Sequence, residues 1–125
     1  MSEKQPTVAV VAVVFKGFLI LGVSRPHDHN DFGLPGGSVD PGESPAQAVV
    51  RELKEETNLD TTTSTPLDFR GSGRFARVSA FRIEATGEPR SSDEGAVKWC
   101  TKEELINGGF GDYNKCLFAF LGLVE

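Results

Sequence analysis

The sequence predicts an α/β (α+β) domain: a central mixed β-sheet sandwiched between helices. Two observations carry this. The segment 7–15, Thr-Val-Ala-Val-Val-Ala-Val-Val-Phe, is apolar at both alternations, which marks a strand covered on both faces. Strand-like segments then interleave with two or three helical ones, the pattern of a layered sandwich. The length, 125 residues, suits one domain able to bury most of its apolar surface.

Each element follows from local chemistry. After the strand at 7–15, Lys16-Gly17 signals a turn, and 18–23 reads as a second strand pairing with the first as an antiparallel hairpin. The polar stretch 24–31 reads as a loop. Its His27-Asp28-His29-Asn30 is a solvated run rather than a metal site. The Gly- and Pro-rich stretch from Phe32 to Glu43 reads as a shaped loop. Ser44-Pro45 opens a helix with a hydroxyl N-cap and proline at its first position. That helix runs to about Thr57, and Asn58 stands where a terminal residue of positive φ is needed. Strands are expected near 67–71, 74–84 and 96–100, with a loop over 87–95. Lys102–Ile106 reads as a short helix stopped by Asn107-Gly108-Gly109. A last helix over 112–123 offers Leu117, Phe118, Phe120 and Leu121 for packing.

Composition excludes several classes. The formal net charge is −5, from 13 Lys plus Arg against 18 Asp plus Glu. An acidic chain lacks the basic patch that binding to a nucleic-acid polymer requires. A small phosphorylated ligand would need metal ions to bridge it to acidic groups. No apolar run reaches the roughly 18 residues of a membrane span, and residues 1–6 lack the apolar core of a signal peptide. Cys100 and Cys116 read as two reduced thiols. The expectation is a cytoplasmic protein, monomeric or homodimeric, with neither membrane nor polymer partner.

The chemistry concentrates on the first helix. With Glu52 at the origin of a helical wheel, Glu55 falls at about −60° and Glu56 at about +40°. Ala46, Val49 and Leu53 form the buried stripe beside them, at about +60° to +120°. Three carboxylates on one stripe repel each other by a few tenths of a kcal/mol per pair. A hard divalent cation resolves that repulsion, and Mg²⁺ shares oxygen ligands between carboxylates and phosphates.

Gly37, Glu43, Arg51, Glu52, Leu53, Glu55, Glu56 and Leu59 stand in one fixed spacing. That spacing resembles the signature of the Nudix hydrolases, with Asn58 where the signature has glycine. Leu34-Pro35-Gly36-Gly37 and Trp99 to Leu105 extend the resemblance across most of the chain. It implies a Nudix-type α/β/α sandwich and Mg²⁺ (Mn²⁺ as the alternative) held by Glu52, Glu55 and Glu56. The backbone of Gly36 and Gly37 would lie close to the metal or a phosphate. Arg51 either contacts phosphate or, the favoured reading, orients a carboxylate. Glu43 either supports the metal ligands or compensates the helix N-terminus. Glu52 and Glu94 are the two candidate bases. Arg25, Phe32 and Tyr113 are candidates for holding the substrate, while Phe75, Arg74 and Arg77 are open to the same reading. The implied reaction is hydrolysis of a nucleoside triphosphate to monophosphate and pyrophosphate, because so few residues precede the first strand. ADP-ribose, nucleotide sugars and dinucleoside polyphosphates are alternative substrates. A catalytically silent fold that binds a nucleotide or RNA is the alternative of another class.

Overall fold

The computed structural model describes residues 6–25, 28–93 and 95–124. It contains β1 (Ala9–Val13), β2 (Phe15–Lys16), β3 (Leu19–Arg25), β4 (Asp28–Gly33), β5 (Gly36–Ser38), α1 (Pro45–Thr57), β6 (Asp60–Pro66), β7 (Val78–Thr86), β8 (Val97–Cys100), α2 (Lys102–Ile106) and α3 (Gly111–Phe120). The mixed sheet runs β5-β1-β7-β6, with β1 parallel to β7 and its other pairs antiparallel. A second, antiparallel sheet is built on β3, which pairs β2, β4 and β8.

The two-faced character of the first strand is present as expected. Val10, Ala12 and Val14 pack with Val49, Leu53, Phe81 and Ile83 on the α1 side. Val13 turns the other way, to Ala80, Leu105, Leu117 and Phe118 under α2 and α3. Successive side chains on a strand alternate faces, so one uninterrupted apolar run supplies both cores. Among the described residues no helix is long and apolar enough to cross a membrane.

Several expectations need correction, the first being that the shaped loop expected from Phe32 to Glu43 holds a strand, β5 at Gly36–Ser38. The apolar segment breaks at Val14. Only Phe15–Lys16 forms a hairpin with Leu19–Ile20, around Gly17 at φ 61°, because both edges of β1 are already taken by β5 and β7. The supposed loop at 24–31 is strand on either side of Pro26 and His27, which lie outside the described residues. β3 continues to Arg25 and β4 begins at Asp28, with an irregularity at Ser24/Arg25. The strand placed at 67–71 lies earlier, at Asp60–Pro66. This edge strand, Asp-Thr-Thr-Thr-Ser-Thr-Pro, has no apolar alternation to announce it, yet β-branched threonines suit a pleated surface. The segment 74–84 opens with a 3₁₀ turn at Gly73–Phe75, and β7 starts only at Val78.

Helix α1 starts and stops where its caps dictate. Ser44 Oγ accepts from the Gln47 amide and the Gln47 side chain accepts from the Ser44 amide, satisfying two of the donors a helix start leaves unpaired. Asn58 closes it at φ 68°, and its amide donates to the Lys54 carbonyl. The buried face holds Ala48, Val49, Leu53 and Thr57. Ala46, expected there, is exposed. The packed face therefore extends toward Ala48, and Glu52 lies within it rather than beside it. In α3, Leu117 and Phe118 are buried as expected, whereas Phe120 is half exposed. The helix ends at Phe120, one turn before Leu123.

Candidate active site

The acidic face of α1 looks onto β5. Glu56 Oε1 accepts from the Gly36 amide at 2.7 Å. A Cβ on Gly37 would lie 2.5–2.7 Å from the carboxylate atoms of Glu52. A Cβ on Gly36 would collide with the Val10 carbonyl of the neighbouring strand. The two glycines thus serve different purposes. Gly36 lets β5 pair with β1, and Gly37 makes room for a carboxylate.

Arg51 ties the acidic groups together. Its Nε and Nη2 grip Glu43 at 2.8 and 2.9 Å, the forked geometry that makes arginine–carboxylate pairs strong. Its Nη1 donates to Glu52 Oε1 at 2.9 Å and reaches Glu55 at 3.3–3.4 Å. Nη2 also donates to the Ser38 carbonyl at 3.0 Å, which anchors the end of β5 to α1. The Glu43 carboxyl is held at about 2, chiefly by its hydrogen bonds from Arg51 and then by the Asp40 amide. The guanidinium is correspondingly raised, first by Glu43 and then by Glu52 and Glu55. Of the two sequence readings of Arg51, the orienting one requires a bond to a carboxylate of the helix, and such bonds run to Glu52 and Glu55. Glu43 secures Arg51 from the far side.

Two hollows meet at Gly36. One, of about 260 Å³, is mostly apolar, with Val10, Leu34, Phe75, Phe110 and Tyr113 among its walls. The other, of about 200 Å³, is lined by Ser24, Arg25, Asp31 and Glu56, and it shares Leu34, Gly36 and Phe110 with the first. A carboxylate of α1 therefore opens on a polar cleft, with an apolar chamber next door. Among the described residues no three acidic, histidine or cysteine side chains already surround one cation position. The donor set nonetheless fits a hard divalent cation, because Glu52, Glu55 and Glu56 supply only carboxylate oxygens from one helix face. Glu55, about half exposed, touches Arg51 only at 3.3–3.4 Å.

Residues 3–119 match the family model described as NUDIX domain. The chain belongs to the Nudix family. It is a Nudix hydrolase, an enzyme acting on pyrophosphate bonds. It is 32% identical over 104 residues to the CTP pyrophosphohydrolase of Escherichia coli, covering 78% of this chain and 77% of that one. A putative 8-oxo-dGTP diphosphatase 2 of Mycobacterium tuberculosis is 31% identical over 106 residues, covering 78% and 75%. Among solved structures, that of the E. coli ORF135 protein superimposes with a TM-score of 0.69 at 26% identity, over 94% of this chain and 91% of that one.

In this Nudix hydrolase the structure brings Gly36, Gly37, Arg51, Glu52, Glu55 and Glu56 together. Arg25 lines the polar cleft and Tyr113 the apolar chamber. Phe32 lines neither. It packs toward Gly22, where Cys100 and Leu105 also converge, under the Lys98 ammonium. Pairing of Phe32 with Ser24 across β3 and β4 sets its face. Glu94 lies outside the described residues. Sequence reasoning missed Asp31 and Phe110. Asp31 bonds Arg25 Nε at 2.9 Å and accepts from the Gly109 amide at 2.7 Å. The signal for Phe110 was available: a single aromatic inside Gly108-Gly109-Phe110-Gly111 has little helical or core rationale.

Proposed function

We propose that this Nudix hydrolase cleaves a nucleoside triphosphate to its monophosphate and pyrophosphate. Glu52, Glu55 and Glu56, next to Gly36 and Gly37, would hold Mg²⁺, with Mn²⁺ as the alternative. The observation that carries the reading is the meeting of two unlike hollows at Gly36. An apolar chamber beside an acidic, arginine-bearing cleft suits a ligand with a flat ring at one end and linked phosphates at the other. The relatives named for CTP and 8-oxo-dGTP, matched over about three quarters of their length, support a nucleoside triphosphate, whereas one named for ADP-ribose is matched over only 33% of its length.

A bound divalent cation would neutralise the diphosphate oxygens and acidify a water near them. The chain's own residues do the rest. Glu52 takes the proton of the attacking water at a carboxylate oxygen, and Arg51, bonded to Oε1, keeps that carboxylate from rotating away. Glu94 is the second candidate for this role. Arg25 meets phosphate oxygens in the cleft. Tyr113 contributes to the chamber that receives the base.

The test is turnover on a panel of nucleoside triphosphates, ADP-ribose, nucleotide sugars and dinucleoside polyphosphates with Mg²⁺, alongside Glu55→Gln. The expected result is release of a nucleoside monophosphate and pyrophosphate by the wild type and near-loss in the variant. Equal turnover by Glu55→Gln would sink the metal-site assignment. Preference for ADP-ribose or a dinucleotide would sink the triphosphate assignment.

A further inference from the structure

Phe110 is an anomaly in packing terms. It is 42% exposed at the N-cap of α3, yet an unusual set of contacts holds it there. The Arg25 guanidinium stands 4.6 Å from its ring centroid, and Phe75 meets it at 6.0 Å with rings inclined by 75°. Arg74, over Phe75 at 4.6 Å, is 5.9 Å from the Phe110 ring. Asp31 locks this arrangement by binding Arg25 with one oxygen and the Gly109 amide with the other. Side chains are excluded around the ring. A Cβ on Gly109 would lie 2.9 Å from both Arg25 and Asp31, one on Gly108 would lie 2.5 Å from the Phe32 carbonyl, and one on Gly111 would strike the Ile106 carbonyl. An ion pair and three tight glycines are thus arranged to present a ring that the core does not use. The ring stands where the two hollows meet.

We propose that Phe110 is a substrate-positioning residue of this hydrolase: the base of the bound nucleotide packs against its ring, and the Asp31–Arg25 pair holds that ring between the base chamber and the phosphate cleft. The inference rests on the nucleotide reading above. An aromatic surface has a π-face for any base, so Phe110 contributes affinity and alignment rather than choice of base.

The experiment separates the base from the phosphates. KM and kcat are measured for the best nucleoside triphosphate, and inorganic tripolyphosphate, which has no base, serves as a competitive inhibitor. Phe110→Ala is expected to raise KM roughly 5- to 150-fold, with kcat within about threefold. The tripolyphosphate inhibition constant and the thermal midpoint should stay at wild-type values. Phe110→Tyr should restore KM, and Asp31→Asn should raise it. An unchanged KM in Phe110→Ala overturns the proposal. So does an equal rise in the tripolyphosphate constant, which would place the effect on the phosphate cleft instead. If the wild type binds nucleotides without hydrolysing them, the activity reading fails, and the Kd of wild type against Phe110→Ala decides the role of Phe110 alone. No nucleotide binding by the wild type overturns both.

Discussion

Alanine at Gly36 and at Gly37 should separate folding from chemistry in two adjacent residues. Neither position needs a left-handed backbone, since neither is among the glycines of positive φ, so only space decides. At Gly37 the new methyl would stand 2.5 Å from Glu52 Cδ. Carbon atoms in contact prefer about 3.5–4.0 Å, so the carboxylate must retreat by roughly 1 Å. The group that gives way is the end of a flexible side chain, and β5 can stay in place. A misplacement of that size in a catalytic group costs about 10²-fold in rate. At Gly36 the methyl would overlap the backbone oxygen of Val10, in a strand whose pairing with β5 runs through Val11 and Gly36. Backbone must move there, and overpacking of this kind costs about 1–3 kcal/mol, a fall in thermal midpoint of roughly 5–15 °C for a chain of this size. Thermal unfolding and turnover of the two variants, measured in parallel, check both. Gly37→Ala should unfold within about 3 °C of the wild type while losing about 100-fold in kcat. The reasoning is refuted by a Gly37→Ala enzyme that keeps wild-type turnover, or by a Gly36→Ala protein as stable as the wild type.

Three further outcomes are expected. Asn58→Ala should lower stability by about 1 kcal/mol, since at φ 68° the short polar side chain of asparagine offsets a left-handed cost that alanine bears in full, and denaturant unfolding would show it. Glu43, whose carboxyl is lowered from 4.5 to about 2, adds stability that is fully present above pH 4.5 and is lost as pH falls toward 2. The midpoint difference between wild type and Glu43→Gln should therefore be constant from pH 8 to 5 and shrink below that; a difference that grows on acidification would contradict the assignment. Tyr113, 4% exposed, has a hydroxyl with no hydrogen-bond partner among the described residues, and burial pushes its phenol pKa upward. Removing an unsatisfied buried group is neutral to favourable, so Tyr113→Phe should unfold no earlier than the wild type, as calorimetry can verify.

Much of the fold was legible because it rests on local rules. Ser44-Pro45 and Asn58 bound α1 through groups that must be satisfied at any helix end, and the run of valines and alanines over 7–15 had to be covered on both faces. What stayed hidden depends on distant partners. Nothing in Thr61 to Thr65 says that β7 lies beside it. Nor does Val14 reveal that the chain changes sheets there, which follows only once β5 and β7 have claimed both edges of β1. The same divide runs through the site. The spacing of Glu52, Glu55 and Glu56 is a property of one helix and can be read from residue numbers. Asp31, Arg25 and Phe110 come from β4, β3 and the N-cap of α3, and only the folded chain makes them neighbours.

Arg51 changes the argument about why the acidic trio exists. From spacing alone, repulsion among Glu52, Glu55 and Glu56 called for a cation. The structure supplies one already, in a guanidinium that reaches Glu52 and Glu55 while Glu43 holds it in a two-pronged grip. Glu56 is met instead by the Gly36 amide. The helix is thus electrostatically relieved before any metal arrives, and self-repulsion by itself is weaker evidence for a metal than the spacing implied. What remains as evidence is placement. Helix surfaces offer solvent to their carboxylates, yet the Glu52 side chain is only 13% exposed and Gly37 lacks the one carbon that would fill its space. Burying a carboxylate costs free energy unless something repays it. Arg51, shared among Glu43, Glu52 and Glu55, offsets that cost at Glu52. The arrangement therefore fixes Glu52 beside Gly37, in the position that its proposed role toward a metal requires.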